Sequence, residues 1–409
     1  MKQREAALDF KNLYFVLFAV VLFIECNSTL REYNPVRYAA ILLMCGVAAL
    51  RILKRGTFTL NVFFAWSAAV LFYMLLSSFW AIRPGDTVQA VKNLLIVSLI
   101  TAVTSLMVEE AADLKKLSYG MIWAFFAETV YVLSRLDLSQ LGEKRIGAEY
   151  AELSQWNANA IGAFTAVGCV LCVLGMLQKR KKQQNFLLEL CLAVFFLATT
   201  LLTGSRKALF IIGGTFVIFV VLYNGNRKRM RNLCLAGFVL LALFAVIMLN
   251  DDLYTLIGAR IGRMIQELMG HATTENSMSL RKGMISSGWG WFLERPVQGY
   301  GLAGFAELYG QSTGWKVYSH CNFIEILVGG GMIGFLLYYA VYAYALWNLG
   351  TAALRHTDFG RSFVFALLLM MLFNNVALVC YADIVYISVL MLACCYLKFP
   401  GWDGVYSDS

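Results

Sequence analysis

The chain has 409 residues, 60% of them hydrophobic and only 14% charged, with a mean hydropathy of +0.66. A water-soluble domain is about half apolar and a quarter charged, so this composition excludes a soluble protein and describes an all-α, polytopic membrane protein. The net charge of +9 is not accompanied by a basic stripe on a soluble domain, which argues against nucleic acid as a partner.

The N-terminal MKQREAALDFK precedes an apolar run from Leu13 to Ile24. Glu25-Cys26 is a poor small-residue cleavage site, so the run reads as a retained first span rather than a signal peptide. A span needs about 17–25 apolar residues. Twelve segments qualify: 12–30, 37–53, 58–81, 88–107, 117–134, 156–177, 186–203, 207–223, 233–250, 322–347, 362–379 and 383–398. Alternation from a cytoplasmic N-terminus places 19 Lys and Arg on the inner side and 9 on the outer side (8 on short loops, with Lys92 just inside a span), with 6 in the long loop 251–321. Long loops translocate regardless of charge, and the remaining bias predicts both termini in the cytoplasm. QKRKKQQN and NRKRMRN weigh most and read as topology anchors.

The hairpin within Phe186–Tyr223 interrupts this pattern. TTLLTGSRKALFII folds back at Thr203-Gly204-Ser205, where glycine and serine suit a tight turn. Arg206 and Lys207 then sit at the outer surface, against the positive-inside bias. Two readings stand: the cations hold an anion, or Arg206 snorkels to outer-leaflet headgroups.

The loop 251–321 holds two helix-like stretches, around Leu253–Met269 and Ser279–Leu293, the second breaking on Pro296 and Gly299 in ERPVQGYG. It is too small to be an enzyme domain and suits a lid or wall over a site built on the spans. No inverted repeat of the transporter kind is visible. The ten cysteines lie mostly in apolar runs. Cys169 and Cys172 form a mid-span CxxC with no partner pair, so they read as buried small hydrophobes. The three histidines are far apart, and no metal-ligand cluster stands out.

On the outer side, Glu25, Glu128 and Asp383 lie near or within spans, and Arg145, Arg206, Arg281 and His320 lie on loops or junctions. A histidine at a membrane surface titrates near neutral pH and can act as a general base. Arginine offers a planar fork of donors matched to phosphate oxygens. One base with several arginines suits transfer of a group from a phosphate-bearing leaving group; a lone interfacial histidine also fits a plain hydrogen-bonding role.

Four segments, in order, resemble the O-antigen ligase and polymerase family of bacterial polysaccharide enzymes. KRIGAEYAELSQWNANAIG is similar to the family's Arg-x-Gly and Asn-x-Asn stretch, at Arg145, Gly147, Asn157 and Asn159, with Ala158 where proline is common. LLTGSRKALF is similar to its Thr-x-Ser-Arg hairpin, at Ser205 and Arg206. SLRKGMISSGWGWFLERPVQGYGLAGF supplies Arg281, Pro296, Gly299 and Gly301. SHCNFIEILVGGGMIGFLLYY supplies His320, Glu325, Gly331 and Gly334, with Cys321 where asparagine is usual and Asn322 following.

The resemblance implies a single twelve-span domain over 1–409 in the bacterial cytoplasmic (inner) membrane, with the 251–321 loop part of an extracytoplasmic active site. It implies a glycosyltransferase that takes glycan from undecaprenyl diphosphate and delivers it to an acceptor glycan, with no cofactor and no metal. Chain-length regulators or flippases are partners such an enzyme would have. His320 would be the catalytic base. Arg206, Arg281 and Arg145 would bind the diphosphate, with Ser205, Lys207, Asn322 and Glu325 in support. Polymerase and ligase both remain open, as do a twelve-span transporter or flippase and a non-catalytic assembly protein.

Overall fold

The computed structural model describes residues 10–56, 60–137, 146–147, 153, 155–178, 185–223, 249–250, 254, 277–356 and 359–399. Among these, all regular structure is helical: α1 (Phe10–Cys26), α2 (Ser28–Glu32), α3 (Asn34–Arg55), α4 (Val62–Leu76), α5 (Pro84–Met107), α6 (Ala111–Ser134), α7 (Ala158–Gln178), α8 (Phe186–Leu202), α9 (Arg206–Tyr223), α10 (Ser277–Glu294), α11 (Gly304–Thr313), α12 (Asn322–His356), α13 (Phe359–Asn374) and α14 (Ile384–Tyr396). Six segments, those of α3, α4 with its following turn, α5, α6, α7 and α12, are long and apolar enough to cross a membrane, and α8, α13 and α14 are shorter apolar helices. The protein is an all-α membrane protein. The expected span at 233–250 and the stretch 253–269 fall almost wholly outside the described residues, as do both basic anchors.

The chain divides into two compact units. The first comprises Met1–Asn61, Ile100–Ile212 and Lys398–Ser409; the second comprises Val62–Leu99 and Gly213–Leu397.

Buried charge organises the first unit at both ends of its helices. At one end α1 begins, α3 finishes, and α5 turns into α6. Lys11 is buried and meets Asp113 at 2.5 Å, while Glu109 takes Arg51 at 2.6 Å and Arg55 at 2.9 Å. Asp113 also accepts the Glu109 and Glu110 backbone N–H groups, at 3.0 and 2.9 Å, and so caps α6. Burial works to raise Glu109, but Arg51, Lys11 and Arg55 together hold it below the usual carboxylate range. At the opposite end, Arg37 forks onto Glu25 through two bonds of 2.6 and 2.7 Å, both residues buried. Glu128, fully buried, accepts Asn27 Nδ2 and Trp156 Nε1, each at 3.0 Å. The first cluster joins three chain regions expected on one side of the membrane, and the second joins regions expected on the other.

The second unit packs α4, α13 and α14 around α12, with α10 and α11 laid against the start of α12. Asp383 N-caps α14 by accepting the Val385 and Tyr386 N–H groups, at 2.9 and 3.3 Å. Glu25, Glu128 and Asp383 thus each carry a structural bond.

Removing one partner of a buried ion pair strands the other charge. Arg37→Met is expected to cost about 3–5 kcal/mol, read as a lower unfolding temperature in detergent. Glu25→Gln combined with Arg37→Met should recover most of that loss.

Candidate active site

In the first unit, the hairpin between α8 and α9 is built by short polar side chains. Gly204 takes φ 58°, a left-handed turn that glycine enters without a Cβ clash. The Thr203 hydroxyl donates to the Thr200 carbonyl at 2.7 Å and accepts the Ser205 N–H at 3.2 Å. The buried Ser205 hydroxyl donates to Asn159 Oδ1 at 3.0 Å and accepts the Ala208 N–H at 3.4 Å, capping α9. Asn157 Oδ1 accepts the Asn159 N–H at 2.8 Å. The two asparagines of the Asn-x-Asn stretch thus divide the work: the first caps the start of α7, the second grips the hairpin. Gly162 makes close approach possible, since a Cβ there would lie 2.8 Å from those of Ser205 and Ala208.

Arg206 is the first residue of α9 and Lys207 the second, both half-buried at the positive end of the helix. Arg206 has no acidic partner among the described residues. Arg145 lies outside the described residues. Ile146, which follows it, donates its N–H to the Leu202 carbonyl at 3.5 Å, and Gly147 at φ 138° leaves room only for hydrogen beside Ala158 N.

In the second unit, the PVQGYG segment closes a break in a helix. α12 is interrupted at Gly331, with φ 61° and ψ −163°, a conformation essentially confined to glycine. A break inside an apolar helix frees backbone groups that lipid cannot satisfy. The loop meets them with its own backbone: Met332 N–H donates to Pro296 O at 2.8 Å, Ile333 N–H to Val297 O at 3.3 Å, and Tyr300 N–H to Val328 O at 2.8 Å. A Cβ on Gly331 would lie 2.3 Å from Val297 O, and one on Gly299 would lie 2.5 Å from Val328 O. The α4–α5 junction holds the loop's other side. Trp80 Nε1 donates to Gln298 O at 3.0 Å and Thr87 Oγ1 to Leu302 O at 2.9 Å, while Tyr73 OH on α4 donates to Gly330 O in α12, beside the break, at 2.7 Å.

His320 stands just before α12 at φ 58°, uncommon for a residue with a Cβ. Its neighbours hold it there. Glu325, 3% exposed, reaches back to accept the Ser319 N–H at 2.9 Å. The Ser319 hydroxyl donates to the Cys321 carbonyl at 2.8 Å, and Asn322 N–H donates to Asn375 O at 2.7 Å. The Asn322 amide is engaged at both ends, donating to Tyr339 OH at 2.9 Å and accepting the Cys380 N–H at 2.9 Å. Asn322 and Glu325 therefore position the segment. The His320 ring is half-buried and lies 4.3 Å from the Tyr318 ring.

Arg281, half-buried on α10, also lacks an acidic partner among the described residues. It stands one turn before Met284, which packs with Cys321 and Ile324 in a cluster that includes Tyr300, Phe305, Tyr309 and Val328. Arg281 and His320 therefore flank one packed core. Cys321, buried there, occupies the position after the histidine as a small hydrophobe. Glu307 on α11 meets Arg83 at 3.0 Å and Lys316 at 3.3 Å, and Lys316 also bonds Asp86 at 2.6 Å. Gln311, then Lys316 and Arg83, hold Glu307 below its ordinary value of 4.5. α11 and this charge cluster carried no motif. Asn375 and Tyr339 did leave a signal, as polar groups inside apolar runs. No group of His, Cys, Asp and Glu able to hold a metal occurs among the described residues.

The profile of a family described as O-Antigen ligase matches residues 191–339, which agrees with the resemblance read from the motifs. The matched span contains Ser205, Arg206, Lys207, Arg281, His320, Asn322 and Glu325, while Arg145 precedes it. No curated protein sequence matches the chain at a significant level.

Two substitutions test these supports. Gly331→Ala is expected to cost about 3 kcal/mol or more from backbone strain and overlap, measured by thermal unfolding in detergent. Gly290→Ala, with nothing within 4 Å, should be neutral or gain up to about 1 kcal/mol. The depressed Glu307 contributes stability that is complete above pH 4.5 and is lost as pH falls through its folded value. Rate-corrected amide exchange across 304–316 should therefore quicken as pH falls below 4.5, and Glu307→Gln should already show the faster exchange at neutral pH.

Proposed function

We propose, from the match of residues 191–339 to a family described as O-Antigen ligase, that the chain is an enzyme of the bacterial inner membrane that transfers glycan from undecaprenyl diphosphate to an acceptor sugar hydroxyl outside the cytoplasm. Arg206, Arg281 and Arg145 bind the donor's diphosphate, with Lys207 adding to the field. They stabilise the negative charge that grows as the bond between the anomeric carbon and the phosphate oxygen breaks. His320 takes the proton from the acceptor hydroxyl as its oxygen bonds to the anomeric carbon from the opposite side. The electron pair leaves with the diphosphate, and the anomeric configuration inverts with no covalent enzyme intermediate. The guanidinium groups supply the charge that a metal would otherwise supply. The twelve-span topology, both termini in the cytoplasm and the 251–321 loop closing over the sugars complete this reading.

The observation that carries it is a contrast among cations. Lys11, Arg37, Arg51 and Arg83 all meet carboxylates. Arg206 and Arg281 are half-buried with none among the described residues. A guanidinium removed from water and left without a counter-charge is costly unless an anion supplies it, and a lipid diphosphate is such an anion. The transporter alternative calls for paired broken helices lining a path. The break in α12 is instead filled by loop backbone, which favours the enzyme. Polymerase fits better than ligase because the outer loops hold no large acceptor-binding domain.

His320→Ala, Arg206→Ala and Arg281→Ala should each lower glycan transfer at least about 100-fold with membrane insertion unchanged. The assay is purified protein with lipid-linked oligosaccharide, products separated by size. A ladder identifies a polymerase, transfer to an added core acceptor a ligase, and full activity of the His320 variant refutes its role as base.

A further inference from the structure

At the end of the first unit where α1 begins and α3 finishes lies a cleft of about 470 Å³, lined by Phe10, Arg51, Lys54, Arg55, Glu109 and Glu110. The hairpin bearing Arg206 stands at the opposite helix ends of the same unit, beside the starts of α7 and α9. The cleft is therefore separate from that hairpin.

Its charges do not balance. Among the described residues three cations face two carboxylates, an excess of one positive charge. Glu109 is already taken by Arg51, Arg55 and Lys11. Lys54 has no carboxylate partner among the described residues and lies 4.3 Å over the Phe10 ring. Arg51 Nε is a buried donor with no hydrogen-bond partner. Arg55 keeps 46% of its side chain exposed. Among the described residues the wall thus offers an ammonium without a carboxylate and spare guanidinium donors to a single negative charge. On the same helix, Leu43, Leu50 and Leu53 are 57%, 51% and 77% exposed. They form an apolar surface that continues from the cleft along α3 towards its middle.

We propose that this cleft binds a phosphodiester, carried as the headgroup of an anionic membrane phospholipid. One phosphodiester charge matches the cleft's excess. Phosphate oxygens accept from Lys54 and Arg55 as charge-assisted bonds, and acyl chains lie along the exposed leucines of α3. The positive-inside bias assigns this end to the cytoplasmic leaflet, where anionic headgroups attract basic side chains by about 1 kcal/mol each.

The test uses the full chain in detergent and reads lipid binding, so its outcome does not depend on glycan transfer. Phosphatidylglycerol, phosphatidylcholine and inorganic phosphate are titrated separately and followed by native mass spectrometry and thermal unfolding. Phosphatidylglycerol is expected to leave a retained adduct and raise the melting temperature, while the other two do neither. Lys54→Glu should weaken phosphatidylglycerol binding about tenfold or more, and Arg31→Glu, at the opposite helix ends, should not. If Lys54→Glu folds poorly, Lys54→Gln makes the same comparison at about fivefold. Equal binding by wild type and the Lys54 variants overturns the site. Protection by inorganic phosphate equal to that by phosphatidylglycerol overturns the lipid assignment.

Discussion

A backbone amide inside a membrane must find its hydrogen bond within the protein, and α12 breaks at Gly331 nonetheless. The freed groups bond to the backbone of the Pro296–Tyr300 loop, so a segment that reads as a surface loop becomes an inserted part of the helix bundle. Glycine is required on both partners, because the two backbones approach more closely than any Cβ permits. The Pro-x-x-Gly-x-Gly and Gly-rich motifs are thus two halves of one joint. Ser77, Trp80 and Thr87 bond the loop from its other side. The joint also anchors the helix that His320 precedes.

The charged groups divide by the same physics. Acids and bases drawn into the helix ends of the first unit are neutralised on the spot: Glu25 by Arg37, Asp113 by Lys11, Glu109 by two arginines. Such pairs offset their own desolvation and add little net stability, but they hold helix ends in register. Arg206 and Arg281 stand outside that economy, half-buried and without an acidic partner among the described residues. In the second unit, the polar groups around His320 are spent on geometry. Asn322, Glu325 and Ser319 all bond backbone or tyrosine, and the imidazole itself is left half-buried next to Tyr318.

Much of this was legible beforehand. The hairpin at Thr203-Gly204-Ser205, the helix over 277–294 with its stop before Pro296, and the close approach at Gly330 and Gly334 all follow from local residue chemistry. A Cβ on Gly334 would lie 3.0 Å from Tyr73 and one on Gly330 would lie 3.1 Å from Met74. The bonds made by Glu25, Glu128 and Asp383 were not legible, because their partners are fixed by which helices pack together. Arg37 is 12 residues from Glu25, but Asn27 and Glu128 are separated by 101. α11 escaped notice because a ten-residue helix between two left-handed caps, Ala303 and Gly314, leaves too short a pattern to stand out from a loop.

The sequence by itself determined the class of protein, the helical segments and the residue types that point to glycan transfer, because hydropathy, turn chemistry and short motifs act over a few neighbouring positions. Only the tertiary structure decided that the glycine run in α12 is a break filled by a distant loop, that Asn322 and Glu325 bond the segment around His320, and that some cations meet carboxylates while Arg206 and Arg281 meet none among the described residues. Those outcomes depend on which buried group meets which partner across long stretches of chain, and in a medium without water that pairing is settled by packing.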